Sequence, residues 1–375
     1  MINSREEQIM LEEAGQMRQQ LQGETDTPYI RLAVQKGMES GKSGSKRTSL
    51  MKGTVYGLAA AAAVAFVLYL IPVWHAGQQT PVNTGPVDWG VLEPYREFNN
   101  YDINAATFES AVRNDYVQLL DNVAEADGYQ ITLNAVTADE NRIILLYTAE
   151  TSNDQEIYGF SSSRMLDVQT GSLLNRTGGI GAHAKINGED DYHKYYGKSE
   201  FELDRSKPFP EQLEADFLIA SVDPGKMDDP KTGTIMADIH YSPRIKLAIK
   251  LDQKFKETKT EVLYPDKNFQ IEGHEVVLSR VEISPLLIKA RYELKNEADY
   301  EWEIRRKVFE YFSGMVTARS GAGTVQLPMS IGAGLADGYE HIFSSNLLDD
   351  PDSLVLELKA GQGIGMSVNQ FELLE

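Results

Sequence analysis

The sequence predicts a mainly β protein. It is expected to hold two tandem immunoglobulin-like β-sandwich domains on the extracytoplasmic side, one transmembrane helix and a short helical cytoplasmic N-terminus. Three observations predict this. An uncharged, mostly apolar run fills residues 54–74. From Gly128 onward, apolar residues recur at every second position with Val, Ile, Tyr and Thr enriched, which is the period of half-buried strands. A stretch of 23 residues beginning at Gly128 is echoed, without a gap, by one beginning at Gly273.

Residues 1–53 read as two short helices and a tether. Met10, Ala14, Met17 and Leu21 are spaced four, three and four apart in a Glu/Gln/Arg-rich stretch, giving one apolar stripe on a polar helix. Gly23 ends it. The second helix has Thr27 as N-cap, Pro28 at the first helical position and Gly37 at the C-cap position. Tyr29, Ile30, Ala33 and Val34 form its apolar side. Two thin stripes cannot build a core of their own. These eight residues are therefore candidate partner-binding residues of a segment that folds against another protein. A tail that frays alone is the alternative.

The run at 54–74 is 21 residues. As a helix it would extend roughly 31 Å, matching a hydrocarbon core of about 30 Å. Leu58, Val64, Phe66, Val67, Leu68, Leu70 and Ile71 favour insertion and no charge opposes them. A secretory leader would have a shorter apolar core close to its start. Lys42, Lys46, Arg47 and Lys52 precede the run, and the first charged residue after it is Asp88. The positive-inside rule then puts residues 1–53 in the cytoplasm and the rest outside. The expected location is the cell membrane, with the bilayer itself as a partner.

The charge balance agrees. Of 36 basic and 56 acidic residues, residues 1–53 hold 8 and 7, leaving 28 and 49 for the remainder. So acidic a part is a poor nucleic-acid ligand, because phosphate binding needs clustered Lys and Arg. There are no cysteines, which excludes disulfides, thiol nucleophiles and Cys-based zinc sites.

Residues 75–100 are rich in Pro, Gly and polar residues and read as a linker. The first β domain is expected over 101–255. It begins with a short helix that has Phe108, Ala111 and Val112 on one side. "YQITLNAV" and "RIILLYTAE" follow as strands joined by the turn "TADEN". Further strands are expected at 217–222, 235–240, 246–251, 270–278, 286–294, 325–327 and 354–358. In the internal echo, Gly128 matches Gly273, Leu133 matches Leu278, Val136 matches Val281, Ile143 matches Ile288 and Tyr147 matches Tyr292. A duplicated hairpin with one face in a core explains this shared phase. The boundary falls near 255–264, with the second β domain over 256–375.

Motifs that carry chemistry are scarce. No two histidines stand in a helical metal-binding pair. The stretch 183–193, with His183, Glu189, Asp190, Asp191 and His193, reads as a solvated acidic turn. The acidic stretch 349–353 lacks a calcium-loop pattern. The glycines of 178–183 lack the Lys-Ser/Thr of a phosphate loop. No nucleophile elbow stands out. The reading assigns no catalytic, cofactor-binding or metal residues, no cofactor and no enzyme activity.

The chain order and the motif "TPYIRLAVQKGMESGKSGSKR" resemble a family of Gram-positive single-pass membrane proteins of unclear function. These are encoded beside extracytoplasmic-function sigma factors and presumed to be anti-sigma factors. "VRNDYVQLLDNVAEADGYQITLNAVTADENRIILLYT" resembles the family's first ectodomain and "EVLYPDKNFQIEGHEVVLSRVEISPLLIKARYEL" its second. The resemblance implies a regulator whose N-terminus sequesters a sigma factor, and whose ectodomain senses or scaffolds through an unknown extracytoplasmic ligand. The zinc-containing class of anti-sigma factors is excluded, because there is no Cys and no His before His75. The alternative is an anchored surface binding or structural module. Whether residues 1–53 bind a cytoplasmic protein separates the two.

Overall fold

The β part is assembled from hairpins, and their turns come first in the sequence. In the computed structural model, Asp127 and Gly128 both take positive φ (50° and 79°), as do Glu272 and Gly273 (50° and 84°). Two successive residues with positive φ make the type I′ turn whose twist suits a two-residue hairpin. The turns join β1 (Gln118–Ala126) to β2 (Tyr129–Ala138) and β12 (Lys267–Ile271) to β13 (His274–Ile283). The strand expected at 270–278 is therefore two strands with this turn between them. The structure describes residues 87–99, 101–228, 239–296, 301–321, 323–361 and 367–374. The expected span at 54–74 and the expected cytoplasmic helices lie outside these residues. Among the described residues, no helix is long and apolar enough to cross a membrane.

The protein is mainly β. In the first half, β2 pairs with β3 (Arg142–Thr151), which pairs with β7 (Glu189–Glu202), which pairs with β6 (Asn175–Ile186). This sheet has the order β1-β2-β3-β7-β6. A second sheet contains β4 (Glu156–Asp167), β5 (Ser172–Leu173), β8 (Gln212–Val222) and β10 (Ile245–Lys250), in the order β10-β8-β4-β5. β9 (His240–Tyr241) adds to β8. Ile131, Leu133, Ile143 and Tyr147 of one sheet and Leu213, Ala215, Phe217 and Ile249 of the other share one hydrophobic cluster.

The second half repeats this connectivity. β13 pairs with β14 (Ile288–Leu294), which pairs with β17 (Gly338–Phe343). β16 (Gly323–Gly334) changes partner along its length. Residues 323–328 pair with β15 (Ser313–Ser320), and residues from Met329 onward pair with β17. The change comes at Pro328, which has no N–H to give to a ladder. A strand that leaves one sheet for another in this way makes a corner. In the first half β5 and β6 are the same run of chain divided at Leu174, pairing with β4 and then β7. β18 (Ser353–Ala360) then joins β15, and β19 (Ser367–Leu374) joins β18, as β8 and β10 follow β4. β11 (Glu261–Leu263) lies beside β13 next to β12.

The gapless echo extends to a local irregularity. The β2–β3 ladder shifts register between Leu133 and Ala135, and the β13–β14 ladder shifts between Leu278 and Arg280. Both shifts sit at the same place in the repeat. Tyr147 and Tyr292 are both at most 2% exposed, each in its own core cluster.

One expectation about the start of the β part changes. Residues 75–100 were expected as a linker, but residues 87–99 carry a 3-10 turn (Gly90–Leu92) and α1 (Glu93–Asn99). Trp89, Leu92 and Tyr95 are buried in the first cluster, because three large apolar groups outweigh the turn-prone residues around them. The expected helix is present as α2 (Ala105–Arg113), with Phe108 and Ala111 buried. It lies with α1 over the outer face of the first sheet, α1 through Tyr95 against Thr148 of β3 and the Tyr196 ring of β7, and α2 through Phe108 beside Lys198 of β7. That is why β3 is buried at eight successive residues rather than at alternate ones.

Candidate functional site

The eight residues expected to bind a partner, Met10, Ala14, Met17, Leu21, Tyr29, Ile30, Ala33 and Val34, lie outside the described residues. The acidic stretches are described. His183 is on β6, its Nε2 2.7 Å from the Ile157 carbonyl, with the Tyr192 and Tyr195 rings at 5.0 and 5.1 Å. Asn187 and Gly188 form the tight β6–β7 turn with positive φ at both. Asp191 faces His193 at 3.5 Å. Asp349 accepts from Arg113 at 2.7 Å and from Asn114 at 2.8 Å, tying the 3-10 turn Leu347–Asp349 to the end of α2. Among the described residues, no group of three or more such side chains is placed to hold a metal ion.

A buried cluster of charges lies where the sequence shows no motif. Lys198 and Glu200, two apart on β7, point away from the core of the first half, beside Ile144 and Leu146 of β3. α2 covers this face, so the charges are buried: the Lys198 side chain is 1% exposed and that of Glu200 5%. Lys198 Nζ contacts Glu200 Oε1 at 3.0 Å and Asp102 Oδ2 in the segment before α2. It also lies 5.9 Å above the Phe108 ring. Arg142, at the start of β3, meets Glu200 Oε2 at 3.2 Å. Asn104 Nδ2 reaches both Glu200 oxygens, at 3.0 and 2.9 Å.

Glu200 Oε1 therefore accepts from Lys198 and Asn104 and Oε2 from Asn104, while the Arg142 guanidinium adds its charge beside Oε2. Burial pushes the Glu200 carboxyl up. Lys198 and Arg142 outweigh this and, with Asn104, hold it below the usual carboxylate range. Two cations and two anions balance. The geometry suits a lock between elements better than proton transfer, because the carboxylate is buried and both of its oxygens are engaged by groups on other elements.

The lock continues into the second half. Asp139, in the β2–β3 turn, accepts from the backbone N–H groups of Asn141, Arg142 and, across the junction, Leu286, at 2.8 to 2.9 Å. Burial pushes the Asp139 carboxyl up, opposed by Ser284 and these three N–H groups. In the repeat, Asp139 corresponds to Ser284 and Asn141 to Leu286, so equivalent turns of the two halves meet. Ser345 N donates to Thr107 Oγ1 at 2.8 Å, and Ser345 Oγ to the Ser284 carbonyl at 2.6 Å. Ser344 Oγ donates to the Ile103 carbonyl at 2.9 Å. Arg205 pairs with Glu282 at 2.9 Å. Leu286 is buried in the first cluster although it belongs to the second half.

Sequence reasoning missed all of these residues. Asp102, Arg142 and Lys198 are far apart in the chain and converge only when β3 pairs with β7. One local signal existed: Lys198 and Glu200 occupy alternate positions of a strand rich in aromatic residues, where a charged pair on one face needs partners.

No family model and no curated protein matches the chain. Among solved structures, it is similar to the conserved domain protein from Bacillus anthracis, known from a crystal structure, with a TM-score of 0.43 and 14% identity. The similarity covers 69% of this chain and 91% of that one.

Proposed function

We propose that this chain is a single-pass membrane regulator, an anti-sigma factor. Residues 1–53 would hold an extracytoplasmic-function sigma factor at the cytoplasmic face, and the β part would sense or scaffold outside. The observation that carries the reading is the uncharged run at 54–74, set between a basic flank and a strongly acidic remainder. The family resemblance of the N-terminal motif and the chain order supports the partner. The mechanism is occlusion: the stripe of Met10, Met17 and Leu21, with Ile30 and Val34 of the second helix, covers a groove the sigma factor needs for core RNA polymerase. The same reading takes each β half as an immunoglobulin-like sandwich, supported in the first half by two antiparallel sheets around one core.

Burying each apolar anchor is worth about 1.5–3 kcal/mol, so losing two weakens the complex more than about a hundredfold. The full chain, tagged after Glu375, should co-purify with a sigma factor from membranes. The double substitution Met17→Asp with Ile30→Asp should release it and raise transcription of its targets. A tag reporter active on the cytoplasmic side would overturn the topology. If the topology holds but no sigma factor is recovered, and deletion leaves sigma-dependent transcription unchanged, the anchored surface module becomes the better reading.

A further inference from the structure

The two halves differ at one position inside their cores. β3 pairs with β7 so that Tyr147 opposes Gly197, and β14 pairs with β17 so that Tyr292 opposes Tyr339. Counting two residues on along each partner strand, Ser199 in the first half corresponds to His341 in the second. In the first half the polar groups satisfy each other. The Tyr147 hydroxyl is 2.9 Å from Ser199 Oγ, which is 2.8 Å from Ser163 Oγ. In the second half, the Tyr292 hydroxyl has no hydrogen-bond partner among the described residues, and neither ring nitrogen of His341 makes a hydrogen bond of normal geometry.

His341 is 0% exposed. Its ring stacks on Phe312 at 4.7 Å and meets the edges or faces of Tyr292, Tyr339 and Phe343 at 5.1 to 5.6 Å. The groups facing it from each neighbouring element are apolar or phenolic. β14 contributes Ala290 and Tyr292, β16 opposes it with Gly332, and its own strand contributes Tyr339 and Phe343. The segment before β15 contributes Phe312. In the opposite sheet, the buried residues include Val316 and Ala318 of β15, Leu327 of β16 and Leu354, Leu356 and Leu358 of β18. Lys289, Arg291 and Glu340 alternate onto the other face of their sheet. Arg305 on α3 (Trp302–Val308) reaches the Leu335 carbonyl. Among the described residues, no carboxylate faces the imidazole to stabilise its cation.

We propose that His341 makes the second half an acid-sensitive element: its closed form accepts only the neutral imidazole, so mild acid opens this half before the first. Burial pushes the imidazole down to about 3, against an opposite pull from the Phe312 backbone. The opened chain takes up the proton near 6.5, the ordinary histidine value. Opening therefore becomes about tenfold easier for each pH unit below 6.5, down to about 3, and is unaffected above 6.5. The first half has no counterpart, since Ser199 does not titrate and His183, His193 and His240 are partly or fully exposed. The inference is independent of the membrane reading, because it concerns only how this core holds an imidazole.

Hydrogen exchange of the full chain in detergent, read by mass spectrometry at pH 7.5, 6.5, 5.5 and 4.5 and corrected for intrinsic rates, tests it. Protection in β14 and β17 should fall about a hundredfold between pH 7.5 and 4.5 relative to His341→Phe, while β2 and β3 change little. Equal pH dependence in the wild type and His341→Phe would overturn the proposal. A second measurement needs no variant. In the NMR spectrum of the wild-type chain labelled at histidine, the imidazole with contacts to the Tyr292 and Phe312 rings should remain neutral at pH 5. An ordinary titration of that signal near 6.5 would overturn the proposal as well.

Discussion

Lys198→Met removes the cation that two buried carboxylates share and keeps the length of the side chain. Lys198 sits 3.0 Å from Glu200, and Asp102 on its other side is only 8% exposed. At an effective dielectric constant of about 20, one such contact is worth roughly 5 kcal/mol before the cost of burying the ammonium. Removing one partner of a buried ion pair typically costs about 3–5 kcal/mol, because the other charge is left uncompensated. For a protein of this size that lowers Tm by roughly 6–20 °C. Urea and thermal unfolding of the full chain, followed by circular dichroism, measure it. Adding Asp102→Asn should recover at least half of the loss, since Arg142 then balances Glu200. The pH dependence has a definite sign. The stabilisation from Glu200 is present above the ordinary carboxylate range and is lost as pH falls below it, because its carboxyl is held low in the folded state. The difference between wild type and Lys198→Met should therefore shrink toward pH 4. A loss below about 1 kcal/mol, or a double variant no more stable than the single one, would refute the lock.

Tyr147→Phe should cost about 1 kcal/mol by removing the hydroxyl bonded to Ser199, whereas Tyr292→Phe should be neutral or stabilising because its hydroxyl has no partner. Denaturation midpoints that move equally would contradict this. A Cβ at Gly197 would lie 2.2 Å from Cε2 of the buried Tyr147 ring, so Gly197→Ala should cost at least about 2 kcal/mol. In a double-mutant cycle with Tyr147→Leu the two positions should couple by about 1 kcal/mol or more, and simple additivity would argue against that close approach.

Period-two patterning is a local property, and it is legible in the chain. The strands that begin at Tyr129 and Arg142 and the matched Tyr147 and Tyr292 could be placed from the sequence, because each depends on residues within a few positions, whereas the Glu272–Gly273 turn was hidden inside a run read as one strand over 270–278. The repetition itself was visible as one hairpin. That it extends to the order of the strands in both halves, with corners at Leu174 and Pro328, required knowing which strands pair across long separations. Burial of the second face of β3 was equally illegible. An apolar run such as "RIILLY" does not say whether helices will cover it, and only the docking of α1 and α2 decides.

The charge lock and the isolated imidazole depend on tertiary structure alone. Hydrophobic pattern determines which residues enter a core, but charge pairing needs positions that converge from distant segments: Asp102, Arg142, Lys198 and Glu200 meet only after β7 pairs with β3 and the segment before α2 folds over both. Likewise, His341 reads in sequence as one of six histidines. What makes it unusual is the environment that four aromatic rings and the absence of a carboxylate create around it, and that environment exists only in the folded chain.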